Sequence, residues 1–138
     1  MPGKPTRSIT VSSQEAHARS DTAVKPVVRF RLRITAGDVI TIGPGKVELL
    51  EAIDRTGSIT AAAKSVHMSY RRAWILLDVV NRSFREPAVD SARGGRDGGG
   101  SGLTEAGRQL VDLYRRIEST AASACQSDIK RLLGMLAR

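Results

Sequence analysis

The chain has 138 residues, enough for one domain with a tail or an additional helix. Its 22 Lys and Arg against 14 Asp and Glu give a formal net charge of +8, which points to an anionic partner, while an aromatic content of 4% argues against a base-stacking single-strand binder. A single cysteine, Cys125, excludes an internal disulfide, and with no apolar run near the roughly 20 residues of a membrane span and no apolar leader core, the expected setting is reducing and cytoplasmic.

Residues 1–26 are polar, without periodicity, and end at Pro26; they are expected to form a disordered arm. From Val27 the texture changes. Val28, Phe30, Leu32 and Ile34 alternate with Arg29, Arg31, Arg33 and Thr35, which predicts a strand with one apolar and one arginine face. Such a strand must pair with a later strand or a partner chain. After Ala36-Gly37-Asp38, the segment Val39-Ile40-Thr41-Ile42 reads as a short extended continuation. The arginine row is either a phosphate-binding face or the wet side of an edge strand, and the wet side is the reading preferred here. Pro44 is placed to start a helix buried through Val47, Leu49, Leu50 and Ile53 and ended by Gly57. Gly45-Lys46 is followed by Val47 and lacks the upstream glycine, which excludes a P-loop.

The central stretch is Gly57 to Trp74. Ser58 or Thr60 is the N-cap of a short helix with Ile59, Ala62, Ala63 and Val66 on its apolar side. His67-Met68 supplies a turn, and Ser69 caps a second helix to about Phe84, buried through Ala73, Leu76, Leu77, Val80 and Phe84. Trp74 reads as a structural anchor of that helix. Tyr70, Arg71 and Arg72 open it with a ring and two cations, where a recognition helix meets bases and phosphates. An ordinary helical hairpin is the plain alternative to a helix-turn-helix. Two extended pieces around Gly94 to Gly102 follow, as a β-hairpin wing at about 93–102 would; a glycine linker is the competing reading. Thr104 caps a long last helix, with Leu103, Ala106, Leu110, Leu113 and Ile117 as a seam and Ile129, Leu132, Leu133 and Leu136 beyond. That surface is expected to pair with a second copy. His17 and His67 have no cysteine or carboxylate cluster beside them, so no enzyme site is expected.

Several stretches together carry a family resemblance: Gly57-Ser58-Ile59, Ala62-Ala63-Lys64, Met68-Ser69-Tyr70-Arg71, Ala73-Trp74, Asn81, Gly94-Gly95, Gly98-Gly99-Gly100, Leu103-Thr104, Gly107, Leu110 and Leu113-Tyr114. From Val28 to about Ile117 the chain resembles the DNA-binding domain of the ModE family, molybdate-responsive bacterial transcription regulators with a LysR-like winged helix. The resemblance implies a mainly α fold with a small β component, a winged helix-turn-helix over 27–103, followed by a long dimerisation helix over 104–138. It implies a dimeric, sequence-specific regulator of double-stranded DNA. The expected DNA contacts are Ser58, Thr60, Ser69, Tyr70, Arg71, Arg72, Arg93, Gly95 and Arg96, with Arg71 and Arg72 at guanine edges. The expected dimer contacts are Phe30, Leu32, Leu110, Leu113, Tyr114, Ile117, Ala121, Ala124 and Leu132. Full-length members carry C-terminal β-barrel domains that bind molybdate. Nothing of that kind occurs before Arg138, so no cofactor or molybdate ligand carries over; the chain is either a natural short form or one that works with a separate ligand-sensing protein as partner. The alternative reading is a winged-helix protein-interaction module or a non-specific DNA-binding protein that works with a separate oxyanion sensor.

Overall fold

The computed structural model describes residues 24–91 and 100–137. Chain order is β1 (Ile34–Ala36), β2 (Val39–Ile42), α1 (Pro44–Thr56), α2 (Ile59–Ser65), α3 (Tyr70–Ser83), β3 (Val89–Asp90), β4 (Gly102–Leu103), α4 (Glu105–Ala124) and α5 (Gln126–Leu133). The fold is mainly helical with a small β component, as expected, and that component is two small antiparallel hairpins.

The first hairpin corrects the expected long strand. Ile34–Ala36 folds back on Val39–Ile42, so the predicted continuation is in fact the partner. Residues 27–33 have no regular strand structure. The cause is length: β2 ends at Ile42 because Pro44 starts a helix, and Ile34 is already paired with Ile42. Nothing in β2 remains to pair with residues before Ile34. A register irregularity skips Thr41, whose hydroxyl donates to the Ile34 carbonyl (3.1 Å).

The core is built from the apolar stripes of four helices. Val47, Leu49, Leu50, Ala52 and Ile53 of α1 meet Ile59, Ala62 and Ala63 of α2, Ala73, Leu77 and Val80 of α3, and Val111 and Tyr114 of α4. Ile42, Ala88, Val89 and Leu103 close it from the hairpins. Alanines in α2 let its neighbours approach closely, since a methyl group keeps the helix axes near one another. Gly57 ends α1 with φ +74°, a conformation that costs a residue with Cβ about 1 kcal/mol or more.

Two further expectations are corrected. The last helix is interrupted at Cys125, and beyond it no residue of α5 is buried. The interruption falls where the helix has left the body and packing no longer holds it to one axis. Tyr114, expected on a dimer seam, is 3% exposed and belongs to its own chain's core. Its hydroxyl donates to the Leu32 carbonyl (2.7 Å), which ties the segment before β1 to α4. Burial holds that hydroxyl above its ordinary pKa, so it stays a donor. Arg115 adds a second tie, with Nη2 and Nε on the two Glu51 oxygens (2.7 and 2.8 Å) and Nη1 on Glu118 (2.7 Å).

Gly107 marks the closest approach of α4 to the second hairpin. A Cβ there would overlap the Ala88 carbonyl oxygen, which also accepts the Thr104 N–H (2.9 Å). Gly107→Ala is therefore expected to destabilise by about 1–2 kcal/mol in urea denaturation despite the better helix propensity of alanine. A variant as stable as the parent would show that α4 shifts freely at this point.

Candidate nucleic-acid interface

The helix-turn-helix is assembled by local hydrogen bonds that its sequence prescribes. Ser58 caps α2, its Oγ accepting the Ala61 N–H (3.1 Å), while Thr60 lies within the helix and is exposed. Of the two expected caps, the structure uses Ser58. His67 turns the chain with φ +59°, and Met68 N–H reaches back to the Ala63 carbonyl (2.9 Å). Ser69 Oγ then accepts the Arg72 N–H (3.0 Å) and starts α3. With Ala73, Leu77 and Val80 turned inward, the periodicity of α3 leaves Tyr70, Arg71, Arg72 and Trp74 outside the core.

Trp74 corrects the sequence reading. It is 40% exposed, not a buried anchor, and its ring meets Tyr70 edge-on at 6.1 Å and 77°. Tyr70 itself is 54% exposed. Trp74 follows the inward Ala73 by one residue, about 100° around the helix, and that rotation carries it out of the core. Farther along α3, Asp78 and Arg82 form an exposed ion pair (2.6 Å).

The stretch where the wing is expected is flanked by β3 paired with β4, Val89 opposite Leu103 and Asp90 opposite Gly102. The hairpin's base is bolted to the helix-turn-helix at two points. The Ser101 N–H donates to the Gly57 carbonyl (2.9 Å), and Asn81 of α3 binds the Ala88–Val89 backbone. Thr104 closes the base, its hydroxyl donating to the Pro87 carbonyl (2.6 Å) and accepting the Gly107 N–H (3.0 Å) as the cap of α4. Arg93, Gly95 and Arg96 lie outside the described residues. The structure thus brings Ser58, Ser69, Tyr70, Arg71 and Arg72 onto the helix-turn-helix surface. Trp74 was missed as a surface residue, and its position one residue after an inward alanine was the available signal.

On another face, Leu113 and Ile117 of α4 are exposed (44% and 51%) above a groove of about 440 Å³ that also takes in Leu32, Phe84 and Leu110. Phe30 and Ala121 are half-buried, Phe30 lining a separate pocket with Arg115, Glu118 and Ala122, and Ala124 and Leu132 are exposed toward the C-terminal end. Among the described residues no group of three or more His, Cys, Asp or Glu side chains is placed to hold a metal ion. No helix among them is long and apolar enough to cross a membrane.

The class defined by this fold and surface is a winged helix-turn-helix domain. A crystal structure of the CbnR DNA-binding domain in complex with DNA matches it with a TM-score of 0.50, covering 64% of this chain and 95% of that one at 20% identity, a likeness of fold. No protein-family model matches the chain. In sequence it is a homologue of ModE-type proteins. It is 40% identical over 111 residues to the molybdenum transport protein ModE of Azotobacter vinelandii, 80% of this chain and 40% of that protein. It is 44% identical over 91 residues to the molybdenum-pterin-binding protein MopB of Rhodobacter capsulatus, 66% of this chain and 34% of that protein. It is 37% identical over 93 residues to the transcriptional regulator ModE of Haemophilus influenzae, 67% of this chain and 36% of that protein. The aligned stretches span two-fifths or less of these relatives' lengths.

Proposed function

We infer that this protein is a sequence-specific regulator that binds double-stranded DNA, with α3 as the recognition helix in the major groove. The observation that carries the reading is the first turn of α3, capped by Ser69 and left outside the core with Tyr70, Arg71, Arg72 and Trp74 on it. A helix fixed at both ends that spends its packing on one side can offer the other to base edges. The net charge of +8 and the names of the relatives, which include transcriptional regulators, support the same conclusion. In this reading the chain is not an enzyme, and any oxyanion effector is bound by a separate ligand-sensing unit rather than by a cofactor site in the described residues.

The wing, including Arg93, Gly95 and Arg96, lies along the adjoining backbone in this reading, and Ser58 and Thr60 face phosphates. Two copies act together, joined through the exposed face of Leu113, Ile117, Ala124 and Leu132. An apolar strip of that kind is costly in water and is covered economically by two-fold pairing.

The test is a fluorescence-anisotropy titration against duplexes selected from a random pool and against random duplex, repeated over a range of salt. Affinity is expected to fall steeply and linearly on a log–log plot. Arg71→Ala is expected to cut the preference for selected over random duplex about tenfold, since a good base contact discriminates by roughly 1–3 kcal/mol. A flat salt dependence would return the domain to the protein-interaction reading.

A further inference from the structure

Cations from outside the helix-turn-helix gather beside its recognition helix. Arg31 and Arg33, from the segment before β1, and Lys46, in the first turn of α1, line a pocket of about 310 Å³ together with Arg72 of α3. Arg33 lies along Gly43, with its Cγ 3.3 Å and its Nε 3.9 Å from where a Cβ would stand. Burial, and then the Arg72 guanidinium, push the Lys46 ammonium below its ordinary pKa. Among the described residues none of the four makes an ion pair with a carboxylate, whereas Arg82, Arg108 and Arg115 all do. Glu48 also lines the pocket without coming within ion-pair distance of any of them. Like charges held together repel, so folding alone does not favour this arrangement and an anion relieves it.

The position of the pocket says which anion. Arg72 and Asn81 are nine residues apart on α3, about two and a half turns, so they project to opposite sides of the helix. Asn81 faces the wing strand β3, and Arg72 faces the pocket. A helix lying in the major groove is bordered by a phosphate backbone on each side. The wing addresses one border, and the pocket stands at the other.

We propose that Arg31, Arg33, Lys46 and Arg72 seat one backbone phosphate of the duplex whose groove α3 enters. The proposal rests on the DNA-binding reading above and extends its footprint to the segment before β1. It turns the arginine row from a wet strand face into a contact, and it moves Arg72 from base reading to phosphate binding.

The experiment compares the wild type, an Arg33→Gln/Lys46→Gln variant and Glu48→Gln, all with urea midpoints recorded, on random duplex over salt. The double variant is expected to bind about tenfold more weakly with its log–log salt slope smaller by about one, the loss of one phosphate contact. Its preference for selected over random duplex stays as in the wild type. Glu48→Gln, which removes the acid from the rim, is expected to bind more tightly. A neutral methylphosphonate scanned along one duplex strand weakens the wild type at one position and leaves the double variant indifferent there. A wild type that binds with steep salt dependence, beside variants with the same slope and affinity, overturns the pocket alone. A wild type without salt-dependent duplex binding overturns the functional reading and the phosphate seat with it. Calorimetric titration with inorganic phosphate is expected to show no saturable binding. Saturable binding lost in the double variant, with an unchanged DNA slope, assigns the pocket to a free oxyanion and overturns the duplex assignment.

Discussion

Asn81→Ala is expected to lower the unfolding free energy by about 2–4 kcal/mol, read from urea denaturation, because it orphans two buried backbone donors. The Asn81 Oδ1 accepts the N–H of Ala88 (2.8 Å) and of Val89 (3.2 Å), and Nδ2 donates to the Val89 carbonyl (3.4 Å). Ala88 and Val89 are 1% and 7% exposed, so water does not replace the lost acceptor. The Ala88 N–H lies beyond the reach of the short β3–β4 ladder, which starts at Val89. The amide therefore substitutes for a missing strand and sets the angle between α3 and the β3–β4 hairpin. Asn81→Asp keeps an acceptor for both N–H groups and gives up the donor, so its loss is expected to be the smaller. Hydrogen exchange at Val89 and at Thr104, whose N–H donates to the Ala88 carbonyl, should accelerate in the alanine variant before the helices open. A loss below about 0.5 kcal/mol, the usual range for an indifferent surface change, would sink this account.

The features legible in the sequence were those made by neighbours along the chain. Pro44, Gly57, Ser58, Ser69 and Thr104 act within one turn of themselves, so the starts of four helices and the end of α1 followed from single residues. The inward stripes of α1, α2 and α3 followed from spacing, and the motif stretch carried the winged helix-turn-helix class. What failed depended on a partner distant in sequence. The alternation from Val28 to Leu32 has the right period for a strand, but β2 is too short to pair with it. Tyr114 was placed at the dimer contact by the resemblance, yet the Leu32 carbonyl draws its hydroxyl inward across 82 residues of chain. Asn81 gave no hint of its role, since a polar residue late in a helix is ordinarily solvated. The gathering of Arg31, Arg33, Lys46 and Arg72 was likewise hidden, because three separate elements supply it.

Trp74→Ala is expected to weaken binding to selected duplex by about 30-fold or more, roughly 2 kcal/mol, while leaving the urea midpoint nearly unchanged. Both halves follow from its place on α3. Four positions separate Tyr70 from Trp74, so the two rings share one face and steady each other edge-on. The exposed indole does not fill core volume, which Ala73, Leu77 and Val80 occupy on the inward side. Exposed apolar rings on a helix also flanked by Arg71 are costly in water, and under the DNA-binding proposal they are covered when the helix enters a groove, where an aromatic side chain desolvates well. Trp74→Phe is expected to retain most of the affinity, as the ring face and much of the area remain. Because the chain has one tryptophan, its emission reports on this site alone. Saturating duplex should shift and quench it, and urea should not be needed to change its surroundings. If instead the emission is indifferent to duplex and Trp74→Ala loses the roughly 3–5 kcal/mol typical of a truncated core aromatic, the residue is the buried anchor its composition suggested and the recognition surface must be redrawn around Arg71.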